Sequence, residues 1–130
     1  MTHHLSVGSN DISRAESFYT PLFAVIGWRL ISGNDESLDY GTSTVQFSVE
    51  TPSDGEAAAP GNGVHIAFAA VSRAEVDRFY ETALANGGTD AGPPGIRAEY
   101  DRHYYGAFVR DPDGNKIEAV THSARHEEAS

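Results

Sequence analysis

The sequence predicts an α+β fold made of two β-α-β-β-β modules. Three observations carry this. Apolar residues recur at helical spacing in two stretches and at strict alternation in several others. The first half lines up on the second at an offset of 61 residues. A Pro/Gly/Ala-rich stretch separates the halves. With 130 residues the chain is long enough for one domain with a sizeable core. Residues 1–122 form that domain, as modules 3–51 and 63–121 joined by a linker at 52–62. Residues 123–130 are a polar tail.

The elements follow in order. The stretch from His4 to Gly8 is a short strand, with His4, Ser6 and Gly8 on one face and Leu5 and Val7 on the other. A helix follows, its buried stripe formed by Ala15, Phe18, Tyr19, Leu22 and Ile26. "GND" turns the chain between two short strands, and Val45, Phe47 and Val49 alternate with Gln46, Ser48 and Glu50 in a fourth. The order then repeats. Residues 63–70 are a strand with His65, Ala67 and Ala69 opposite Ile66 and Phe68. Residues 72–87 are a helix whose Val76, Phe79, Tyr80 and Ala83 fall on the stripe of the first at the same offset. A Gly/Pro-rich excursion, "GTDAGPPGIRAEYDR", precedes strands at about 103–110 and 114–121 joined by "DPDGN", which reads as a tight turn. Trp28 and the helix Phe/Tyr pairs belong to the core.

The phrase "SRAE" occurs at Ser13 and again at Ser72, an offset of 59 rather than 61. Each reads as a capping box, with Ser at the helix start and Glu three residues on. On this reading the cap slid by two residues while the buried face stayed. The repeat is an internal duplication of a strand–helix unit.

Composition narrows the function. Apolar residues make up 39% and charged residues 22%, ordinary for a globular domain. A net charge of −10 opposes nucleic-acid phosphates, so a small molecule is the expected partner. There is no cysteine, which excludes disulfides, thiolate nucleophiles and zinc–sulfur sites. No apolar run is long enough to span a membrane, and no secretion signal opens the chain, so a cytoplasmic protein is expected.

If the apolar side of each module lies under its helix, His4 and His65 project from the opposite, concave side beside small residues. Ile117 and Ala119 take the helix side of the last strand, and Glu118 points with the histidines. Gln46 is placed as its partner in the first module. Two imidazoles and a carboxylate from separate strands form a divalent-metal set. Gln46 is a weaker donor, placed as a direct or water-bridged ligand or as a polar cleft wall.

"HLSVGSNDISRAESFYTPLFAVIGW", "HIAFAAVSRAEVDRFYETALANGG" and "YYGAFVRDPDGNKIEAV" resemble the vicinal oxygen chelate superfamily of glyoxalases, bleomycin-resistance proteins and extradiol dioxygenases. The resemblance spans about residues 3–121. It implies that the paired modules form an open eight-stranded half-barrel around one divalent ion (Zn, Ni, Co, Mn or Fe). It also implies a substrate that chelates the ion through adjacent oxygens, and a possible homodimer. His4, His65 and Glu118 match its metal ligands and Gln46 its fourth position. Many bacterial glyoxalase I enzymes have Glu where this chain has Gln46, and an amide cannot abstract a proton. Glu118 is then the candidate base. Extradiol dioxygenases use a two-His, one-carboxylate triad, but their additional upstream His has no counterpart in residues 44–64. The resemblance thus favours a glyoxalase-like lyase, with a small dioxygenase or a non-catalytic ligand-binding protein as alternatives.

The excursion at 92–105 has no counterpart of its length in the first module. It gathers Arg97, Tyr100, His103, Tyr104 and Tyr105. Arg97 and Tyr100 are candidates for binding an anionic substrate group. His103 and Tyr105 are candidates for acid–base work. His3, His122 and His126 are expected to be surface or tail residues.

Overall fold

The computed structural model describes residues 1–124. The first module runs β1 (Leu5–Gly8), α1 (Ile12–Val25), β2 (Arg29–Gly33), β3 (Ser37–Gly41) and β4 (Val45–Glu50). The second runs β5 (His65–Ala69), α2 (Arg73–Ala85), β6 (Thr89–Ile96), β7 (Tyr105–Arg110) and β8 (Lys116–Thr121). Each folds into a four-stranded sheet of the same topology, β1-β4-β3-β2 and β5-β8-β7-β6. The first pair in each sheet is parallel and the rest antiparallel. The α+β architecture of two β-α-β-β-β modules is therefore present.

One core serves both modules. Phe18, Tyr19, Leu22 and Phe23 of α1 are fully buried, as are Val76, Phe79 and Ala83 of α2. Phe68 of β5 packs its ring against Phe23, Trp28 and Phe47 of the first module, with centroids 5.1–5.4 Å apart. Burying one such ring contributes about 2–3 kcal/mol, so this aromatic junction is a main bond between the halves. Trp28 and Tyr80 are only half-buried and pack at the core's margin.

The helix starts differ from the expected capping boxes. Ser72 does cap α2, accepting from the Glu75 amide. The Glu75 carboxylate reaches back to the Val71 amide. In the first module the cap is Asp11, whose side chain accepts from the Arg14 amide at 2.9 Å, and Ser13 lies inside the helix. Asp11 and Ser72 are 61 residues apart. The cap has therefore kept the offset of the buried face, and the matching "SRAE" phrases are not equivalent positions. A carboxylate and a hydroxyl cap equally well, so the function persisted while the letter changed.

The "DPDGN" turn does more than reverse the chain. Asp111 is buried and accepts from the Asp113 and Asn115 amides, from the Asn115 side chain and from Tyr19 of α1. Asp113 accepts from Ser9, from the Asn10 amide and from Arg14. Asn115 donates to the Gly8 carbonyl. These bonds clasp the second module to the end of β1. Burial, and next the adjacent Asp111 carboxylate, hold the Tyr19 phenol well above its ordinary pKa, so it stays a donor.

Candidate functional site

The second sheet supplies the most organised polar cluster on its concave face. Ile117 and Ala119 of β8 are buried in the core, so Glu118 between them faces the other way. Its carboxylate is nonetheless fully buried. Oε1 lies 3.1 Å from His65 Nε2, and Oε2 accepts from the Tyr104 hydroxyl. Both carboxylate oxygens thus have a partner, as a buried charge requires. The Tyr104 phenol is pushed above its ordinary value by burial first, then by its bond to Glu118 and that carboxylate's charge. It remains protonated at neutral pH.

Space for Glu118 comes from Gly106 on the neighbouring strand. A Cβ there would stand 2.8 Å from Glu118 Oε2 and 3.2 Å from the Tyr104 ring. Phe108, paired with Glu118 across β7 and β8, forms the floor beside His65, with ring centroids 5.9 Å apart. Sequence reading missed both residues. The signal for Gly106 was a glycine inside an otherwise strong strand. His122, expected on the surface, sets its ring edge-on to Tyr104 at 5.3 Å and so joins the outer rim of this cluster. His126 lies outside the described residues.

The first module's candidates lie apart from this cluster. His4 is exposed and its Nδ1 contacts His3 Nδ1 at 2.8 Å. The Gln46 carbonyl oxygen accepts from the Thr42 amide and hydroxyl. Both line a cavity of about 190 Å3 with Trp28, Ala67 and Ala69. The strand ends explain the separation. Gly8 is bonded to Asn115, next to Lys116, which lies opposite His65. At about 3.3 Å per residue, His4 is about 13 Å from Gly8, toward the far end of β5. Among the described residues no group of three or more His, Asp or Glu is gathered so as to hold a metal ion.

The strand registers also revise the partner assigned to Glu118. Leu5 pairs with Phe47, as Ile66 pairs with Ile117. Ser48 is therefore the counterpart of Glu118, and Gln46 is the counterpart of Lys116. Alternation gave the correct face for Gln46 but could not give the register. Ser48 is buried and donates to Asp39, which also accepts from Ser32.

The excursion at 92–105 is strand only at its two ends. Residues up to Ile96 belong to β6, with register shifts at Gly92 and Gly95, and residues 97–104 form the connection to β7. Arg97 donates to the Pro93 carbonyl at 2.6 Å and lies over the Phe108 ring at 5.5 Å. Tyr100 is exposed and packs edge-on to Tyr104. His103 is held within its own loop, by its amide to Asp101 and by its ring accepting from Arg102. Tyr105 points the other way, donating to Asp77 of α2 at 2.6 Å. Strand alternation puts Tyr104 on the Glu118 face and Tyr105 on the helix face, so Tyr104 takes the place expected of Tyr105.

Comparison with known proteins agrees with this architecture. The sequence pattern of the Glyoxalase/Bleomycin resistance protein/Dioxygenase superfamily matches residues 2–119. A glyoxalase/bleomycin resistance protein from Albidiferax ferrireducens T118 is 38% identical with a TM-score of 0.82, over 90% of this chain and 94% of that one. A glyoxalase-related enzyme from Fulvimarina pelagi is 21% identical with a TM-score of 0.71, over 98% and 96%. The fosfomycin resistance protein FosX from Mesorhizobium loti is 21% identical with a TM-score of 0.65, over 93% and 91%. The last two show the fold alone. No curated protein matches the chain. No helix among the described residues is long and apolar enough to cross a membrane.

Proposed function

The chain belongs to the Glyoxalase/Bleomycin resistance protein/Dioxygenase superfamily, and on that premise we propose that it is a divalent-metal-dependent, glyoxalase-like enzyme. Its substrate is a small molecule that chelates the ion through adjacent oxygens. The observation that carries this reading is the Glu118–His65 pair. A fully buried carboxylate is anchored by Tyr104 and presented beside an open imidazole on the concave face.

The donor types suit a divalent ion, yet among the described residues no three of them are gathered within one chain. His65 and Glu118 form one half-set, and His4 with Gln46 forms another at the far end of β1. A second copy of the chain supplies the missing half, so the active form is a homodimer with composite sites. An ion held there would supply Lewis-acid polarisation of substrate oxygens. The chain's own residues do the rest. Tyr104 holds Oε2 of Glu118 by a donated hydrogen bond, leaving Oε1 to exchange His65 for a substrate proton. Phe108 keeps water from the carboxylate's flank.

Mixing two inactive variants tests both parts. His4→Ala and His65→Ala each lose bound metal. Unfolded and refolded together, they form mixed dimers in which one of the two sites is intact, restoring about a quarter of the wild-type metal content. No recovery on mixing would defeat the composite site. Full metal retention in both single variants would place the ion away from His4 and His65. Wild-type protein that takes up no metal would defeat the metal-dependent reading and favour a metal-free ligand-binding protein.

A further inference from the structure

A second recognition element adjoins His65. The chain carries a net charge of −10 and contains a single lysine, Lys116. That lysine lies opposite Arg110 in the β7–β8 ladder and opposite His65 in the β5–β8 ladder. Strand alternation puts Lys116 on the same face as Glu118. Arg110, His65 and Lys116 line a cavity of about 370 Å3, closed on one side by residues 60–64, where the linker runs into the second module. The linker is seated rather than loose there, since a Cβ at Gly114 would stand 3.3 Å from the Pro60 ring.

The cations are not consumed by the fold. Among the described residues the ion pairs are Arg14–Asp113 and His65–Glu118, and neither Arg110 nor Lys116 takes part in one. Arg110 donates one guanidinium N–H to the Gly114 carbonyl, and the fork has others to offer. Lys116 Nζ lies over the Phe108 ring at 5.1 Å, and Arg97 lies over the same ring at 5.5 Å. One aromatic floor therefore carries two cations, with the His65 ring beside it. Like charges gathered at one cavity repel one another unless an anion sits among them. In so acidic a chain this is a local reversal of sign, which also attracts anions from solution.

We infer that the Arg110–Lys116 cavity is an oxyanion subsite that binds the phosphate or carboxylate group of a small molecule whose other end reaches His65. Arg110 presents paired N–H donors to two oxygens, and Lys116 adds a point charge. The volume falls in the range of small-ligand pockets. The inference rests on the proposed substrate face, but the cations need no metal, so the two can fail separately.

The test is calorimetric titration of chelator-treated, metal-free protein with inorganic phosphate and with acetate at low ionic strength. Wild type should bind at least one of them, more weakly as salt is raised. Arg110→Gln and Lys116→Gln should each weaken binding about tenfold or more. Arg29→Gln, at an exposed arginine of the first sheet, should not. Lys116→Gln leaves the Arg110–Gly114 bond intact, so a loss there cannot come from a loosened turn. Failure of wild type to bind either anion, or equal binding by all the variants, would overturn the subsite. Phosphate binding that survives in a chain unable to take up metal would uphold it while sinking the metal-dependent reading.

Discussion

The two concave faces share one backbone and carry different chemistry. In the second module Glu118 of β8 meets His65 and Tyr104, and Gly106 on β7 makes room for its carboxylate. In the first module the counterpart of Glu118 is Ser48, and the acidic group has moved one strand over to Asp39, the counterpart of Phe108. Where the second module has Gly106 the first has Ser37, since a serine hydroxyl on β4 needs no extra space. The helix-facing sides, by contrast, keep buried apolar residues at matching positions such as Ala15 and Val76, Phe18 and Phe79, and Leu22 and Ala83. Duplication preserved what packs and left the concave side free to diverge.

The largest test of this contrast compares two carboxylates. Asp111 accepts four hydrogen bonds in a buried turn that holds the modules together. Asp111→Ala should lower stability by about 3–4 kcal/mol, because it strands the donors that converge there. Asp39 is half-buried and serves two serines of its own module, so Asp39→Ala should cost about 1 kcal/mol. Urea denaturation measures both. Equal losses would mean that the clasp between the modules carries no special weight.

A smaller effect is expected at the paired positions Gly106 and Ser37. Gly106→Ala drives a methyl group into Glu118 Oε2 and the Tyr104 ring, at a cost of about 1–3 kcal/mol. The displaced Tyr104 phenol should then titrate nearer its ordinary value, read by ultraviolet absorbance. Ser37→Ala should cost less than about 1 kcal/mol. Unaltered Tyr104 titration in Gly106→Ala would show that the glycine does not shape the site.

What could be read from the sequence follows the same divide. The helix stripes and the inner faces of the strands were legible because core packing imposes periods of 3.6 and 2 on residue type. Phe18 and Phe79 announce themselves for that reason. The faces of His65 and Glu118 were legible too, since they follow from alternation alone. Register was not. Whether Gln46 or Ser48 stands for Glu118 depends on how β4 registers against β1, which no pattern of residue types reveals. The caps misled because a repeated phrase outweighed a repeated function, with Asp11 doing in one helix what Ser72 does in the other. The clasp at Asp111 and Asp113 was hidden because their partners, Tyr19 for Asp111 and Asn10 and Arg14 for Asp113, are about a hundred residues away in sequence.

The smallest effects at neutral pH come from two tyrosines, one in each module, that grow important only in alkali. The Tyr40 phenol is raised to about 12 chiefly by burial, with the Glu16 charge adding to it and the hydrogen bond with Thr20 opposing it. Tyr105 is also raised to about 12, by burial and then by its bond to Asp77 and that carboxylate's charge. Such a phenol keeps its proton in the folded chain at a pH where the unfolded chain has lost it. Its contribution is whole below about pH 10 and is lost as pH rises through about 12. Near pH 7 each Tyr→Phe change should cost only about 1 kcal/mol, the net worth of one hydrogen bond. Urea midpoints should stay flat from pH 7 to 9 and fall above 10. The fall should be shallower in either Tyr→Phe variant. Asp77→Asn separates the modules: it removes the charge that helps hold Tyr105 neutral, so that phenol should ionise at lower pH while Tyr40, in the other module, does not move. A shift of Tyr40 along with Tyr105 would mean that the two modules ionise as one unit.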